Sequence, residues 1–196
     1  MMALLYSHQA LFNLCLIASL LAASQYVVLR AGLFSLATAG LAAFGAYTAG
    51  ILVVRYSVPP LVAIAAAACA GVAVASILAV PLVRLRGIFQ AIATLAFVQI
   101  TKSFAFYLED LTGGATGLNG IPKTVDTLEL FISLLVVVIV IARLGWSPTG
   151  RAFDMIRQNE VAAAAFGVNV SQHHAIAFAL SGFIAGLAGG LTALHN

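Results

Sequence analysis

The chain has 196 residues, of which 63% are hydrophobic and only 8% charged, and its formal net charge is +3. A soluble domain carries charged side chains at roughly 25% of its positions. With so few, this chain lacks the polar groups needed to cover a folded surface in water, so lipid is predicted to be its main solvent. The small and scattered positive charge excludes a nucleic-acid partner.

Membrane-length apolar runs recur along the chain. They lack the alternation of apolar and polar residues that marks barrel strands, which favours helices. The sequence predicts an all-α membrane protein, a polytopic helical bundle forming a single domain over residues 1–196. About six transmembrane helices are expected, at residues 10–29, 36–54, 61–83, 88–107, 130–144 and 175–194. The fifth run is shorter than the ~20 residues that cross a bilayer, so we expect it to borrow flanking residues.

The arginines predict the orientation of these spans. Alternation of the spans places one set of basic residues on one side of the membrane: Arg30, Arg84, Arg86, Arg143, Arg151 and Arg157. The other side keeps Arg55 and Lys123, together with four acidic residues. By the positive-inside rule the arginine-rich side is cytoplasmic, which makes both chain ends external.

One long polar segment, residues 147–167, separates the fifth and sixth runs. Ser147 and Pro148 are typical of a helix start, and Gly167 is typical of a helix stop. The alanines at 162–165 predict a small, flat surface that fits a groove on a partner. Binding to lipid is the alternative, but the segment lacks the basic and bulky apolar faces of a membrane-surface helix.

Polar side chains inside the fourth run form a second candidate site. Gln90, Thr94 and Thr101 share one helix face, whereas Gln99 lies off that face. Such groups face protein or water rather than lipid. They either line a translocation path or hydrogen-bond neighbouring helices. Lys102, near the end of the run, is expected to extend its ammonium to the interface.

Glycines mark two further features. The external segment 110–122 includes Thr112, Gly113, Gly114 and Gly117, and it either meets a solute or docking protein or is a plain connector. In the sixth run, small residues recur every four positions, which predicts close helix packing. These residues are Gly182, Gly186 and Gly190.

No motif for nucleotide hydrolysis or covalent catalysis occurs, so the sequence predicts neither an enzyme nor a cofactor or metal site. Cys15 and Cys69 lie in apolar runs and are expected to be inert packing thiols. An ATP-independent channel or secondary transporter is an alternative function. It requires an ionisable group deep in a span, and the middles of these runs have none. A membrane scaffold without transport activity is a third class.

Four groups of residues occur in an order that resembles a known family. They are Ser35–Leu36 with Gly45–Thr48; Arg84–Gly87 with Ala91–Leu95; Thr112–Gly114 with Gly117; and Gly150–Ala152, Ile156–Arg157, Asn159–Glu160, Gly167, Ala177–Phe178 and Ala185–Gly189. In these residues the chain resembles the LivM-type permease subunit of branched-chain amino-acid ABC importers.

The resemblance implies a permease subunit of the bacterial inner membrane that translocates branched-chain amino acids, or else urea or short amides. It implies that residues 159–167 form a cytoplasmic coupling helix contacted by ATPase subunits. The contact residues would be Arg151, Arg157, Asn159, Glu160, Ala162, Ala163 and Gly167. A second permease subunit and an extracytoplasmic solute-binding protein are the other implied partners. Ser35 joins Gln90, Thr94 and Gln99 as a candidate for the path.

The chain departs from the family pattern in three places. Leu33, Ala37 and Thr38 stand where the family often has Gln, Gly and His. The coupling signature Glu-Ala-Ala-x-x-x-Gly fits only from Val161 onward, with Glu160 one position early. The sequence also stops where the family's permeases continue, so a partial permease domain is expected.

Overall fold

A computed structural model describes residues 2–118 and 120–195, and within these ranges the chain is helical without strands. Its elements follow one another along the chain as α1 Met2–Arg30, α2 Thr38–Tyr56, α3 Pro60–Leu82, α4 Ile88–Tyr107, α5 Glu109–Thr112, a 3₁₀ turn Gly114–Thr116, α6 Thr127–Trp146, α7 Pro148–Gln158, α8 Glu160–Ala165 and α9 Val170–His195. Asn119, part of the predicted external segment, lies outside the described residues.

Within the described ranges, six helices are long and apolar enough to cross a membrane, which confirms the predicted fold class. The fourth has the predicted bounds. The short fifth run becomes α6, a helix of 20 residues, because flanking residues at both ends continue its hydrogen bonding. α9 starts five residues before its predicted span, since the helix extends past the apolar run.

The last helix, α9, forms the centre of the bundle and is the most buried of the six spans. Its glycines allow backbone-to-backbone contact with α2 and α3. A Cβ on Gly182 would collide with Gly71 of α3, and one on Gly186 would collide with the Ala67 carbonyl. At Gly190 an added Cβ would lie 2.9 Å from the Ala67 Cβ. The glycine stripe therefore sets how closely α9 approaches α3.

Two of the other helices, α1 and α4, join the core through side-chain contacts. Ser24 of α1 lies 2.8 Å from Ser181 of α9, hydroxyl to hydroxyl, and both side chains are buried. On α4, the Phe97 ring stacks on Phe44 of α2 with centroids 6.2 Å apart, and it covers Gly40. A cross-helix hydrogen bond and an aromatic pair thus hold the outer helices to the centre.

The bundle has two distinguishable ends. At one end, which we call the arginine-rich end, Arg30 contacts Asp154 and Arg86 contacts Glu160. At the opposite end, the Thr124 N–H donates to the Leu194 carbonyl. Asn13, in the first half of α1, contacts the last residue of α9 at this end, so the N-terminal half of α1 lies beside the end of α9.

The two cysteines do not pack in the core, contrary to expectation. Cys15 and Cys69 are free and exposed. They lie on faces of α1 and α3 that this chain leaves uncovered, because leucines and valines of α1 and alanines of α3 take the inner faces. Lys102 is likewise exposed on α4, which leaves its side chain free to reach the interface.

Candidate functional site

The segment between α6 and α9 forms an elbow of two short helices, residues 147–167, at the arginine-rich end. The Ser147 hydroxyl caps α7 by accepting from the Gly150 N–H at 3.1 Å, and Pro148 occupies the first turn. The first helix ends at Gln158. Asn159 then adopts an extended backbone, with φ −158° and ψ 109°, and a second helix begins.

The predicted start at Ser147 and Pro148 and the predicted stop at Gly167 thus belong to two different helices, and the second of them lies within the residues 159–167 expected to form the coupling helix. The carboxamide oxygen of Asn159 accepts from the N–H groups of Val161 and Ala162, each at 3.0 Å. This N-cap replaces hydrogen bonds that a continuous helix would make, and it lets the chain change direction. Gly167, with φ +84°, follows α8 and supplies the left-handed conformation that ends it.

One face of α7 is packed into the bundle. Phe153 is fully buried in a cluster with Val28, Leu33 and Phe178, and Ile156 is buried beside it. Truncation of a buried phenylalanine typically costs about 3–5 kcal/mol. This face therefore fixes the elbow to α1 and α9.

An ion pair adds a second attachment. The Arg30 guanidinium at the end of α1 donates through Nε to Asp154 Oδ1 at 3.1 Å and through Nη2 to Oδ2 at 2.8 Å. Hydrogen bonding and the charge of Arg30 hold the pKa of the Asp154 carboxyl below its ordinary value of 3.8. A bidentate arginine pair fixes direction as well as distance.

Glu160, the first residue of α8, is the third attachment. Its carboxylate lies 3.4 Å from the Arg86 guanidinium in the loop between α3 and α4. The other carboxylate oxygen lies 4.0 Å from Nε2 of His174, which is buried at the start of α9. Arg86, Glu160 and His174 line a cavity of about 240 Å³ together with Gln90 and Arg157. The base of α8 thus contacts both an inter-span loop and the central helix.

The outer face of α8 is free. Val161 and Phe166 are 73% and 80% exposed, and the alanines at 162, 164 and 165 are exposed between them. Ala163 is buried against this chain, so it does not belong to a surface that a partner can contact. Arg151, Arg157, Asn159 and Gly167 are exposed. We call Val161, Ala162, Ala164, Ala165 and Phe166 the outer face.

Val161 and Phe166 were not among the predicted contact residues. The segment was expected to lack a bulky apolar face, yet both side chains flank the alanines on an exposed surface. Two large apolar residues at the ends of an alanine run were the available signal. Large exposed apolar groups beside small ones are typical of a surface that a partner covers.

The predicted path residues Gln90 and Thr94 on α4 accept hydrogen bonds from the backbone that joins α1 to α2. Gln90 Oε1 accepts from the Phe34 N–H at 3.2 Å, and Thr94 Oγ1 accepts from the Leu36 N–H at 2.9 Å. Ser35, which lies between Phe34 and Leu36 in the chain, is buried, and its hydroxyl accepts a hydrogen bond from the Ala37 N–H. Because this backbone is irregular, its N–H groups need partners outside a helix, and these side chains supply them.

Two other polar residues of α4 have no contact with that segment. Thr101 is buried and donates to the Phe97 carbonyl of its own helix. Gln99 is exposed, on a different face from Gln90 and Thr94, as its spacing indicates.

The glycine-rich segment at the opposite end folds into a compact turn. The Thr112 hydroxyl is buried, donates to the Leu108 carbonyl at 2.8 Å and accepts from the Gly114 N–H at 3.2 Å. Gly113, with φ +77°, lies against the Gly117 carbonyl so closely that a Cβ would collide with it. These four residues shape the turn, and none of the glycines presents a side chain for binding.

Residues 2–118 and 120–195 contain no candidate metal site, since no three His, Cys, Asp or Glu side chains come together there. The features that remain are a rigidly attached elbow and its exposed outer face.

Comparison with known proteins decides the family. A family model described as "Branched-chain amino acid transport system / permease component" matches residues 9–195, nearly the whole chain. The chain belongs to this family. It is therefore a multi-pass integral protein of a bacterial-type inner membrane, as its six apolar helices indicate.

Two curated relatives are similar to most of this chain. The high-affinity branched-chain amino acid transport system permease proteins LivM of Salmonella typhimurium and of Escherichia coli are each 31% identical to the chain over 204 residues. Each match covers 87% of this chain and 48% of the relative. The chain thus spans about half the length of these relatives. No solved structure matches the chain significantly.

Proposed function

We propose that this chain is part of the permease of an ABC importer that moves branched-chain amino acids, or a similar small polar solute, inward. Separate ATPase subunits supply the energy, and this chain performs no chemistry of its own. A second permease subunit completes the pathway, and an extracytoplasmic binding protein delivers solute to the opposite end of the bundle. Membership of the permease family and the names of the two relatives support this assignment.

The observation that carries the proposal is the attachment of the elbow. Its inner side is joined to α1 by Arg30, to the loop between α3 and α4 by Arg86, and to α9 by the packing of Phe153. A force applied to the outer face is therefore transmitted to spans that line the centre of the bundle. A partner that moves on binding nucleotide needs this kind of rigid contact.

The chemistry of the outer face favours a protein partner. Alanines at its centre let a partner approach closely, while Val161 and Phe166 offer apolar anchors at the edges. Arg151 and Arg157 lie exposed on α7 nearby. Apolar anchors surrounded by polar groups are the usual arrangement of a protein interface.

Co-purification of the ATPase with the permease tests whether the outer face is the docking site of the ATPase, which we call the dock. We expect Ala162→Arg and Phe166→Ala, each on the outer face, to reduce the ATPase recovered with the tagged permease complex by roughly tenfold or more, as expected for the loss of an interface anchor. Uptake of labelled leucine into vesicles containing the whole complex is expected to fall in parallel.

The matched control is Ser171→Arg, which adds the same side chain at an exposed position of α9 at the same end. It is expected to leave ATPase recovery unchanged. If both outer-face variants recovered as much ATPase as the wild type, α8 would not be the dock, even if the complex still supported uptake.

A further inference from the structure

The residues that join α1 to α2 pack against the bundle with one face. We call residues 31–37 the linker. Along it, Ala31, Leu33, Ser35 and Ala37 are buried, whereas the residues between them are exposed. The middle of the linker is neither helix nor strand. Backbone N–H groups in such a segment need partners from other elements, and these partners decide where the segment lies.

The first part of the linker is fixed to the elbow. Arg30, the last residue of α1, holds Asp154 of α7 in the bidentate pair described above. Gly32 then lies directly against the backbone of α7, since a Cβ added to it would be 3.2 Å from the Arg157 Cα. Its φ of +80° is a conformation that residues with a side chain rarely adopt. A displacement of α7 therefore displaces the start of the linker as well.

The second part of the linker is held by side chains of α4. The Phe34 N–H donates to Gln90 Oε1 at 3.2 Å, and the Leu36 N–H donates to Thr94 Oγ1 at 2.9 Å. Thr94 is free to accept because its own proton is donated within α4, where the Gln90 carbonyl lies 3.0 Å away. Both acceptors are buried, so water does not compete for these hydrogen bonds.

Gln25 of α1 holds the linker from the other side. Its side-chain amide donates to the Ser35 carbonyl and accepts from the Thr38 hydroxyl at the start of α2. Because α1 also carries Arg30, this contact belongs to the same body as the attachment of the elbow. The linker thus connects that body to α4.

Few other contacts fix α4. Among the described spans it packs mainly against α2, where the Phe97 ring stacks on Phe44, and its packing on α3, α6 and α9 is slight. The buried side chains of α4 are those of Gln90, Thr94 and Thr101. Two of these three accept the hydrogen bonds of the linker, so the linker is a main determinant of where α4 lies.

We propose that the linker transmits displacement of the elbow to α4, with Gln90 and Thr94 as the positioning residues that hold α4 to it. When a partner moves the elbow, the Arg30 pair and the contact of Gly32 carry the start of the linker along. The two hydrogen bonds then draw α4 in the same direction, so that it shifts relative to α3. The choice of an ATPase as the moving partner rests on the proposed function.

The first test measures coupling in the whole reconstituted complex. Thr94→Val removes the acceptor of the Leu36 N–H, whereas Thr94→Ser keeps it. Thr101→Val makes the same change further along α4, where the hydroxyl bonds only to its own helix. We expect Thr94→Val to lower the uptake of labelled leucine per ATP hydrolysed by roughly fivefold or more, as for the loss of a coupling between two sites. Thr94→Ser and Thr101→Val are expected to keep the wild-type ratio.

The second test measures the movement itself, which a purely structural role of these hydrogen bonds would not affect. Spin labels replace two exposed residues, Ala73 of α3 and Ile92 of α4, in a background without the native cysteines. We expect nucleotide to change the distance between the labels in the wild type and in Thr101→Val. In Thr94→Val the distance is expected to stay the same.

Gln90→Leu removes the other hydrogen bond to the linker and is expected to behave as Thr94→Val does. It decides the matter if Thr94→Val does not fold, as judged by size exclusion. A wild-type ratio of uptake to hydrolysis in a folded variant of either residue would overturn the proposal. A distance that nucleotide leaves unchanged in the wild type, with the ATPase bound, would also overturn it and leave the dock intact. Absence of the ATPase from the wild-type complex would overturn the proposed function and this proposal together.

Discussion

Single small residues decide how closely the spans of this bundle approach. Gly71 of α3 lies against the Gly182 carbonyl of α9 with no room for a side chain. Its near neighbour Ala73 is exposed on the same helix. The periodicity of the α9 glycines indicated close packing, but the partner residues on α3 could not be identified from the sequence. Nothing in one helix specifies which neighbour it meets.

We expect Gly71→Val to separate α9 from α3 and destabilise the bundle by about 1–3 kcal/mol, because overpacking forces the backbones apart. Ala73→Val, two positions away, adds bulk on an exposed face and is expected to change stability by less than about 0.5 kcal/mol. Thermal unfolding followed by fluorescence-detected size exclusion compares the two. Equal midpoints would contradict the close contact.

The pair formed by Arg30 and Asp154 predicts a dependence on pH. Because the Asp154 pKa is lowered by Arg30, the pair stabilises the fold above pH 3.8 and loses this effect as pH falls through the lowered pKa. The Asp154 side chain is 45% exposed, so solvent screening limits the effect to roughly 1 kcal/mol or less.

Asp154→Asn is therefore expected to unfold at a lower temperature than the wild type at neutral pH. The difference should shrink as the pH is taken below 3.8. Thermal midpoints across this range provide the measurement. A difference between the two proteins that stays constant into strong acid would show that the ion pair is not its cause.

At the scale of elements, the elbow depends on one side chain. Asn159 caps α8 and separates it from α7, whereas Asn169 caps α9 by accepting from the Gln172 N–H at 3.1 Å. We expect Asn159→Ala to cost about 1 kcal/mol and to favour a continuous helix, which would redirect the outer face. Spin labels at exposed Arg151 and Ala165 should then move apart in double electron–electron resonance.

Asn169→Ala is the matched control for the elbow. It removes an N-cap of the same kind at the same end of the bundle, but it leaves α7 and α8 as they are. It is expected to keep the wild-type distance between the labels. An unchanged distance in Asn159→Ala would mean that packing alone fixes the bend.

The elements differ in how far the sequence predicted them. The bounds of α4 were correct because Gly87 precedes its first apolar residue and the acidic pair Glu109–Asp110 follows its last aromatic one. The resemblance implied a helix over residues 159–167, and α8 begins there, after the N-cap Asn159. The start and stop residues alone did not divide the segment into two helices, because they mark only its ends. The turn made by Thr112, Gly113 and Gly117 was also not predicted, since its hydrogen bonds depend on the end of α4.

At the scale of the whole molecule, hydropathy was sufficient for the fold class and insufficient for the site. The six spans can be predicted from the apolar runs of the sequence, because lipid requires apolar surfaces and internally satisfied backbone. The exposed outer face of α8 could not be predicted in this way, since burial of Ala163 and exposure of Phe166 depend on how the elbow packs. The α4 residues Gln90 and Thr94 support an irregular segment that only the assembled bundle contains.

The central claim is that the outer face of α8 is a cytoplasmic dock that carries motion from an ATPase into the spans. Its most direct test is crosslinking of Ala162→Cys to the ATPase in the whole complex, in a background lacking the two exposed native thiols, Cys15 and Cys69. We predict a crosslink whose yield changes when nucleotide is added, and no labelling of position 162 by an impermeant thiol reagent from outside the cell. Labelling of position 162 from outside, or a crosslink that nucleotide does not affect, would contradict the account.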